Sequence, residues 1–276
     1  KQTISKAITI LSKLTNGSIN ISLRKESDSF LRGLSDVVIH NVSGPHPSGN
    51  LSTIINKVSP ISKGDVIWTL NLPDLSIIGK ALLEGKFSAE RIIALAGSSV
   101  SNPKYIKTLI GSNISSFIKL KENNSRIISG NVLTGVKLES SAHVRYYSNE
   151  ITAIPEGNDY DLFGWAKPMF DKFSVSRALT FSWLFPNKKY DLNTNTNGEH
   201  RAFVVTGSFE EVFPLDIYPM QILKACMYKD LDEMEALGMY EVSPEDFALT
   251  EFICVSKQPH QNIIREGLDL MKKEIG

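Results

Sequence analysis

Ser43-Gly44-Pro45-His46-Pro47-Ser48-Gly49-Asn50 separates the apolar run Val37-Val38-Ile39 from a helix-compatible stretch that opens at Leu51. The apolar run reads as a buried strand. Glycines, prolines and a histidine between a strand and a helix mark the carboxyl edge of an α/β sheet, where open sheets of this kind hold their ligands. Backbone N–H groups at the start of the following helix favour an anion there. The first expectation is therefore a phosphate-binding loop, with Gly44 and His46 as ligand-edge positions. The loop lacks the G-x-G-x-x-G spacing of a dinucleotide fingerprint.

Outward from this loop, helix and strand patterns alternate. Ile4, Ala7, Ile8, Leu11 and Leu14 share one helical face, stopped by Asn16-Gly17. Ile19, Ile21 and Leu23 alternate as a strand, Val37 to Val42 is the next, and a helix runs from the loop to about Lys57. Val66-Ile67-Trp68-Thr69-Leu70 reads as a third strand, and Leu75 to Leu83 as a helix ended by Gly85. Alternation with short links predicts a parallel sheet covered by helices. The chain starts at Lys1 without a signal sequence and enters its first element at once. It is expected to be a piece of a longer protein, with the first strand and first glycine turn of this layer upstream.

The pattern changes from Arg91. Ile92 to Val100 and Tyr105 to Ile110 read as strands, Ile114 to Ile118 as a small helix, and Arg126-Ile127-Ile128 and Ile151 to Ile154 as further strands. Strand, strand, short helix and strand with glycine turns suggest a β-grasp-like module. Phe163 to Val205 is aromatic and poor in helix signals, which suggests a β-rich excursion with a mobile tip at Asp191 to Asn197. Helices return at Met220 to Tyr228 and Asp230 to Leu237. Ser243-Pro244-Glu245-Asp246 then combines a serine cap, a first-turn proline and acids placed against the dipole. Ile264, Leu268, Met271 and Ile275 make a last amphipathic helix.

Thirty basic residues balance thirty acidic ones, so no excess charge points to nucleic acid or anionic lipid. No apolar run approaches the ~20 residues that span a bilayer. His40, His46, His143, His200 and His260 show no ligand spacing, and no P-loop lysine or nucleophile elbow is present. Cys254 is informative for what surrounds it. In a C-x2-C-x2-C-x3-C-P cluster segment ending at Cys254, the other ligands would fall on Pro244, Phe247 and Thr250, and the proline on Val255. None of these binds iron, so Cys254 reads as a small buried hydrophobe. Phe163-Gly164-Trp165, between Asp159/Asp161 and Lys167, offers aromatic faces for a flat ring such as a quinone, or for a core or subunit interface.

Seven segments, taken in order, resemble the A-subunit family of the sodium-translocating NADH:quinone oxidoreductase (Na+-NQR). They are Ser43 to Asn50, Val66-Ile67-Trp68-Thr69-Leu70-Asn71, Arg91-Ile92-Ile93-Ala94-Leu95-Ala96-Gly97 and Arg126-Ile127-Ile128-Ser129-Gly130, followed by Leu162-Phe163-Gly164-Trp165, Phe213-Pro214-Leu215-Asp216-Ile217-Tyr218-Pro219 and Glu245-Asp246-Phe247-Ala248-Leu249. The resemblance implies an α/β plus α+β multidomain chain. A partial Rossmann-like parallel sheet would occupy 1–88. An SLBB-like β-grasp domain, with a β-rich insertion at about 155–207, would occupy 89–212. A helical domain similar to a ferredoxin-like domain without clusters would fill 213–276. The family's biotinyl-lipoyl-like region and the start of its Rossmann-like domain are expected outside this sequence.

The resemblance further implies a peripheral component on the cytoplasmic face of the bacterial inner membrane. It would support electron transfer from NADH to ubiquinone coupled to sodium export, in company with the other subunits. The complex uses NADH, flavins, iron–sulfur and ubiquinone, whereas this chain is expected to bind no cofactor and no metal and to hold no catalytic residue. Phe163, Gly164 and Trp165, with Gly44 and His46, are the positions singled out for a quinone or a ligand edge. The alternatives are a flavin- and NADH-binding subunit of an Rnf- or complex I-like enzyme, or a docking scaffold without a ligand.

Overall fold

The computed structural model describes residues 1–25, 29–139, 141–157, 161–164, 166–167, 172–177 and 182–275. They form two compact units, one of residues 1–89, 205–252 and 259–276, the other of residues 90–204 and 253–258.

In the first unit, α1 (Gln2–Leu11) buries Ala7 and Ile8 and is followed by β1 (Asn20–Arg24), a single turn α2 (Ser29–Arg32) and β2 (Val38–Val42). The two strands pair in parallel from Asn20↔Val38 to Arg24↔Val42, the connection expected of a right-handed crossover unit. The loop of residues 43–50 leads into α3 (Leu51–Val58), and α4 (Leu72–Glu84) ends at Gly85 with a left-handed cap. Gly79 of α4 is buried against α1, where a Cβ would meet the Thr3 carbonyl oxygen at 2.0 Å. The two helices can approach this closely only over a glycine.

The expected third strand is corrected. Residues 61–71 contain no strand, with Val66 79% and Trp68 89% exposed. A β-forming run becomes a strand only where a neighbour accepts its ladder hydrogen bonds, and none among the described residues does.

Helices complete this unit: α5 (Pro219–Tyr228), α6 (Leu231–Ala236), a 3-10 turn at Pro244–Phe247 running into α7 (Ala248–Ile253), and α8 (His260–Glu274). Their core holds Ile222, Leu223, Met234, Met239, Phe247 and Ile264. Gly267 of α8 sits on α5, since a Cβ there would meet Cys226 Sγ at 2.6 Å and Met239 Cε at 3.1 Å. Burial pushes the Cys226 thiol up to about 11, and Cys254 is fully buried as well. Thiolate is the reactive form. A thiol reagent such as DTNB at pH 8 should therefore count no cysteines in the native chain and two in guanidinium. One rapidly labelled native thiol would refute this packing.

The second unit is a five-stranded mixed sheet built from β3 (Glu90–Ala96), β4 (Lys104–Leu109), β5 (Ser125–Ser129), β6 (Val136–Leu138) and β7 (Glu150–Pro155). The order is β4-β3-β7-β5-β6, with the first and last strands parallel at the centre and hairpins on both sides, a β-grasp arrangement. A 3-10 turn at Ile114–Ser116 stands in place of the expected small helix, capped by Asn113 Oδ1 accepting from Ser115 N at 2.9 Å. Ile93, Leu95, Val100, Ile114, Ile127, Val144, Ile151 and Ala153 form the core, each larger aliphatic contributing roughly 1.5–3 kcal/mol by burial.

The excursion expected to be β-rich over about 155–207 holds no strand among its described residues, only turns and a 3-10 turn at Ser182–Leu184. Phe181, Trp183 and Phe185 recur at the period of two that a strand needs, yet a strand forms only where a neighbour accepts its ladder hydrogen bonds, and none among the described residues does. It is tied back at its base. Glu156 accepts from Arg126 Nε at 3.0 Å and from Arg126 Nη2, and also from Thr194 Oγ1 at 2.9 Å. The Arg126 bond holds its carboxyl below the usual range.

Candidate functional site

The carboxyl edge of the β1–β2 pair is built from four pieces of the first unit: the 43–50 loop, the start of α3, Arg32 and residues 243–247. The loop folds as two successive turns, with Ser48 N donating to Pro45 O at 3.0 Å and Asn50 N to Pro47 O at 2.8 Å. Gly44 takes φ 123°, which favours glycine, and the His46–Pro47 bond is cis. Gly44 and His46 are both exposed on this loop.

The first amides of a helix need partners from outside it. Asn50 stands at the cap position of α3 yet makes no side-chain capping bond to its own helix. Its Nδ2 instead reaches Glu245 O at 3.4 Å. The acceptor for the helix end comes from 193 residues away, as Ser52 N donates to Glu245 Oε1 at 3.2 Å. Ser52 Oγ donates to Asp246 Oδ1 at 2.5 Å and lies 3.0 Å from Glu245 Oε1. Asp246 is held in turn by Ser243, whose N and Oγ lie 2.8 Å and 3.2 Å from its Oδ2. Burial raises the Asp246 carboxyl above its ordinary range, and the Ser52 and Ser243 bonds oppose that rise.

Arg32 serves the same edge. Its Nη2 donates to Arg24 O at 2.7 Å and Lys25 O at 2.9 Å, and its Nη1 to Asn41 Oδ1 at 2.9 Å. The guanidinium ties the ends of β1 and β2 together. Chemically, this edge offers anion-binding donors that the chain's own carbonyls and carboxylates already engage.

The other singled-out positions lie in the second unit. Phe163 is 64% exposed at φ 53°. Gly164 is buried, its carbonyl accepting from Lys172 Nζ, and Asp161 beside it pairs with Lys167 at 2.5 Å and Lys172 at 3.5 Å. The Lys167 bond, before any other cause, lowers the Asp161 carboxyl. Trp165 lies outside the described residues, as does Asp159. Among the described residues no group of three or more His, Cys, Asp or Glu side chains could hold a metal ion. Phe247 and Thr250, at two of the positions a cluster segment would use, are fully buried, Phe247 against the Phe213 ring and Thr250 bonded to His260 Nδ1 at 2.9 Å.

Residues 1–87 match the family model of the NqrA second alpha/beta domain, and residues 92–140 match that of the NQRA C-terminal domain. Relatives named as the A subunit of the Na(+)-translocating NADH-quinone reductase align over almost the whole chain. That of Neisseria meningitidis serogroup B is 35% identical over 273 residues, covering 98% of this chain and 61% of the relative. That of Vibrio atlanticus is 36% identical over 269 residues, 96% of this chain and 60% of the relative. The one from Alcanivorax borkumensis is 35% identical over 279 residues, 99% and 62% respectively. The chain belongs to the NqrA family. It spans about three fifths of the length of these relatives.

Within that family assignment, the loop, α3 and Arg32 fall inside the second alpha/beta domain match, and β3 from Ile92 onward, β4, β5 and β6 fall inside the C-terminal domain match. Among the described residues no helix is long and apolar enough to cross a membrane. In the sequence, Glu245 and Asp246 signal only acids beside their own helix start. Their partner Ser52 leaves no signal, because a serine one residue into a helix is unremarkable. His260 is equally silent: only the fold shows that it is fully buried.

Proposed function

We propose that this chain works as the A subunit of a sodium-translocating NADH:ubiquinone oxidoreductase. In this reading it is a peripheral component on the cytoplasmic face of the bacterial inner membrane. It docks on the membrane-spanning subunits and supports electron transfer from NADH to ubiquinone coupled to sodium export. The observation that carries the reading is the alignment of 98% of the chain with a protein of that name at 35% identity. The redox groups belong to the other subunits. Non-ligating residues at the cluster positions, and donors at the sheet edge already engaged within the chain, support a chain without flavin or iron–sulfur of its own. Isolated, it is not catalytic. Its contribution to the quinone site is assigned to the exposed Phe163 and its neighbours Gly164 and Trp165, whose aromatic faces suit a flat ring.

The test uses the source bacterium. Disrupting the gene should abolish sodium-stimulated, quinone-dependent NADH oxidation by its membranes. An affinity-tagged copy should restore that activity and co-purify with membrane-spanning subunits. Unchanged sodium-stimulated activity, or a tagged chain that purifies alone and yellow with flavin, would overturn the reading.

A further inference from the structure

We propose that Glu245 is a built-in substitute for phosphate at the carboxyl edge of the β1–β2 sheet. Its carboxylate closes the place an anion would take at the start of α3 and latches the helical tail onto that helix. Three independent features meet here. The site follows a glycine-bearing loop at the end of a parallel strand, the position where α/β sheets receive phosphate. Asn50, the residue that would ordinarily cap α3, is turned away to the Glu245 carbonyl. The Ser52 amide, which would serve a phosphate, donates to Glu245 Oε1 at 3.2 Å, and the Ser52 hydroxyl stands between that oxygen at 3.0 Å and Asp246 Oδ1 at 2.5 Å.

A carboxylate brings negative oxygens to these donors at the positive end of the helix, as a phosphate does. Being part of the same chain, it competes with any free anion at a high effective concentration. Arg32, a cationic donor at this edge, is engaged by Arg24 O, Lys25 O and Asn41. The fold therefore keeps the architecture of an anion seat while filling it from within. The tail segment Glu245-Asp246-Phe247 acquires a second task beyond starting its own helix. This inference concerns one side chain and stands whether or not the assembly reading holds, since its test needs no other protein.

The test is hydrogen exchange at the Ser52 amide in the full chain, with inorganic phosphate as the probe and sodium chloride of equal ionic strength as the control. In the unaltered chain the amide should be protected and indifferent to phosphate. In Glu245→Ala it should exchange on the order of tenfold faster, from the loss of a hydrogen bond to a charged acceptor. Phosphate, and not chloride, should then slow it again. Glu245→Gln retains an acceptor of the same shape without the charge, and decides the matter if the alanine variant does not fold. Its Ser52 amide should become phosphate-sensitive. The proposal is overturned if exchange in Glu245→Ala matches the unaltered chain. It is equally overturned if phosphate leaves the Ser52 amide of the folded variants unaffected, or if it acts on the unaltered chain to the same degree.

Discussion

Gly97→Ala should destabilise the five-stranded unit by about 3–5 kcal/mol and lower its thermal midpoint by roughly 10 °C or more. Two costs combine at this position. Gly97 ends β3 at φ 102°, a conformation that costs an L-residue roughly 1–2 kcal/mol. A Cβ there would also stand 2.1 Å from Ala153 O and 2.7 Å from Ala153 N. Both atoms are backbone of β7, the central strand, so no side chain can swing aside. Relief requires β3 to move off β7, which disturbs the Ala96↔Thr152 pairing and the buried Leu95 and Ile151 beside it. Gly111 supplies the control, with φ 84° and nothing within 4 Å of a Cβ. Gly111→Ala should show the conformational cost alone, on the order of 1 kcal/mol. Equal losses in the two variants, measured by urea unfolding, would mean that the close approach to β7 carries no weight.

That glycine follows β3, which is legible in the sequence as a strand over Ile92 to Val100 but ends at Ala96, the turn at Gly97 leaving no mark on the apolar pattern. The legible parts of the fold share a property: their periodicity is complete within one element. Ala7 and Ile8 are on the buried face of α1, and Ile21 and Leu23 fall on β1. Ile93 and Leu95 face the core of β3. Where structure depends on a neighbour, the sequence is ambiguous. Val66 to Leu70 has all the composition of a strand and is exposed, because pairing is a property of two segments. Val136–Leu138 is the reverse case: three residues too short to show a period become β6 because Ile127 to Ser129 pair with them.

The sheet edge follows the same logic. Gly44 to Asn50 identifies a strand–loop–helix corner in one dimension, and the structure places it there. What occupies the corner is not legible. An acid after Ser243-Pro244 has a sufficient local explanation as a first-turn residue, and Asp246 indeed completes a capping box with Ser243. Glu245, its neighbour, serves a different helix altogether. Local and long-range uses of a carboxylate leave the same letters in the sequence, and only the fold distinguishes them.

Acidification between pH 6.5 and about 4 should weaken the first unit by about 3 kcal/mol through His260 alone. The ring is fully buried at the start of α8, packed edge-on against Phe209 at 4.8 Å between centroids. Thr250 Oγ1 donates to Phe247 O at 2.9 Å, so its bond with His260 Nδ1 is one in which the ring donates and the hydroxyl accepts. The folded chain thus holds a neutral imidazole with its proton on Nδ1. Burial lowers its pKa from 6.5 to about 4, and the positive end of α8 disfavours a second proton in the same sense. Above pH 6.5 neither state is protonated and His260 adds no pH dependence. Below it the unfolded chain takes a proton that the folded chain refuses, so stability falls until the folded ring titrates near pH 4. Asp246 works in the opposite direction, because its raised carboxyl is protonated earlier in the folded state as pH falls. The comparison must therefore be made between variants rather than from one curve. His260→Asn can still donate to Thr250 without titrating. Losing the ring should lower its stability at pH 7.5 by about 1–3 kcal/mol. Its urea-unfolding free energy should nonetheless decline less steeply than that of the unaltered chain between pH 6.5 and 4, so that the two curves converge. Parallel curves across that interval would show that His260 is not the proton acceptor that opens this unit in acid.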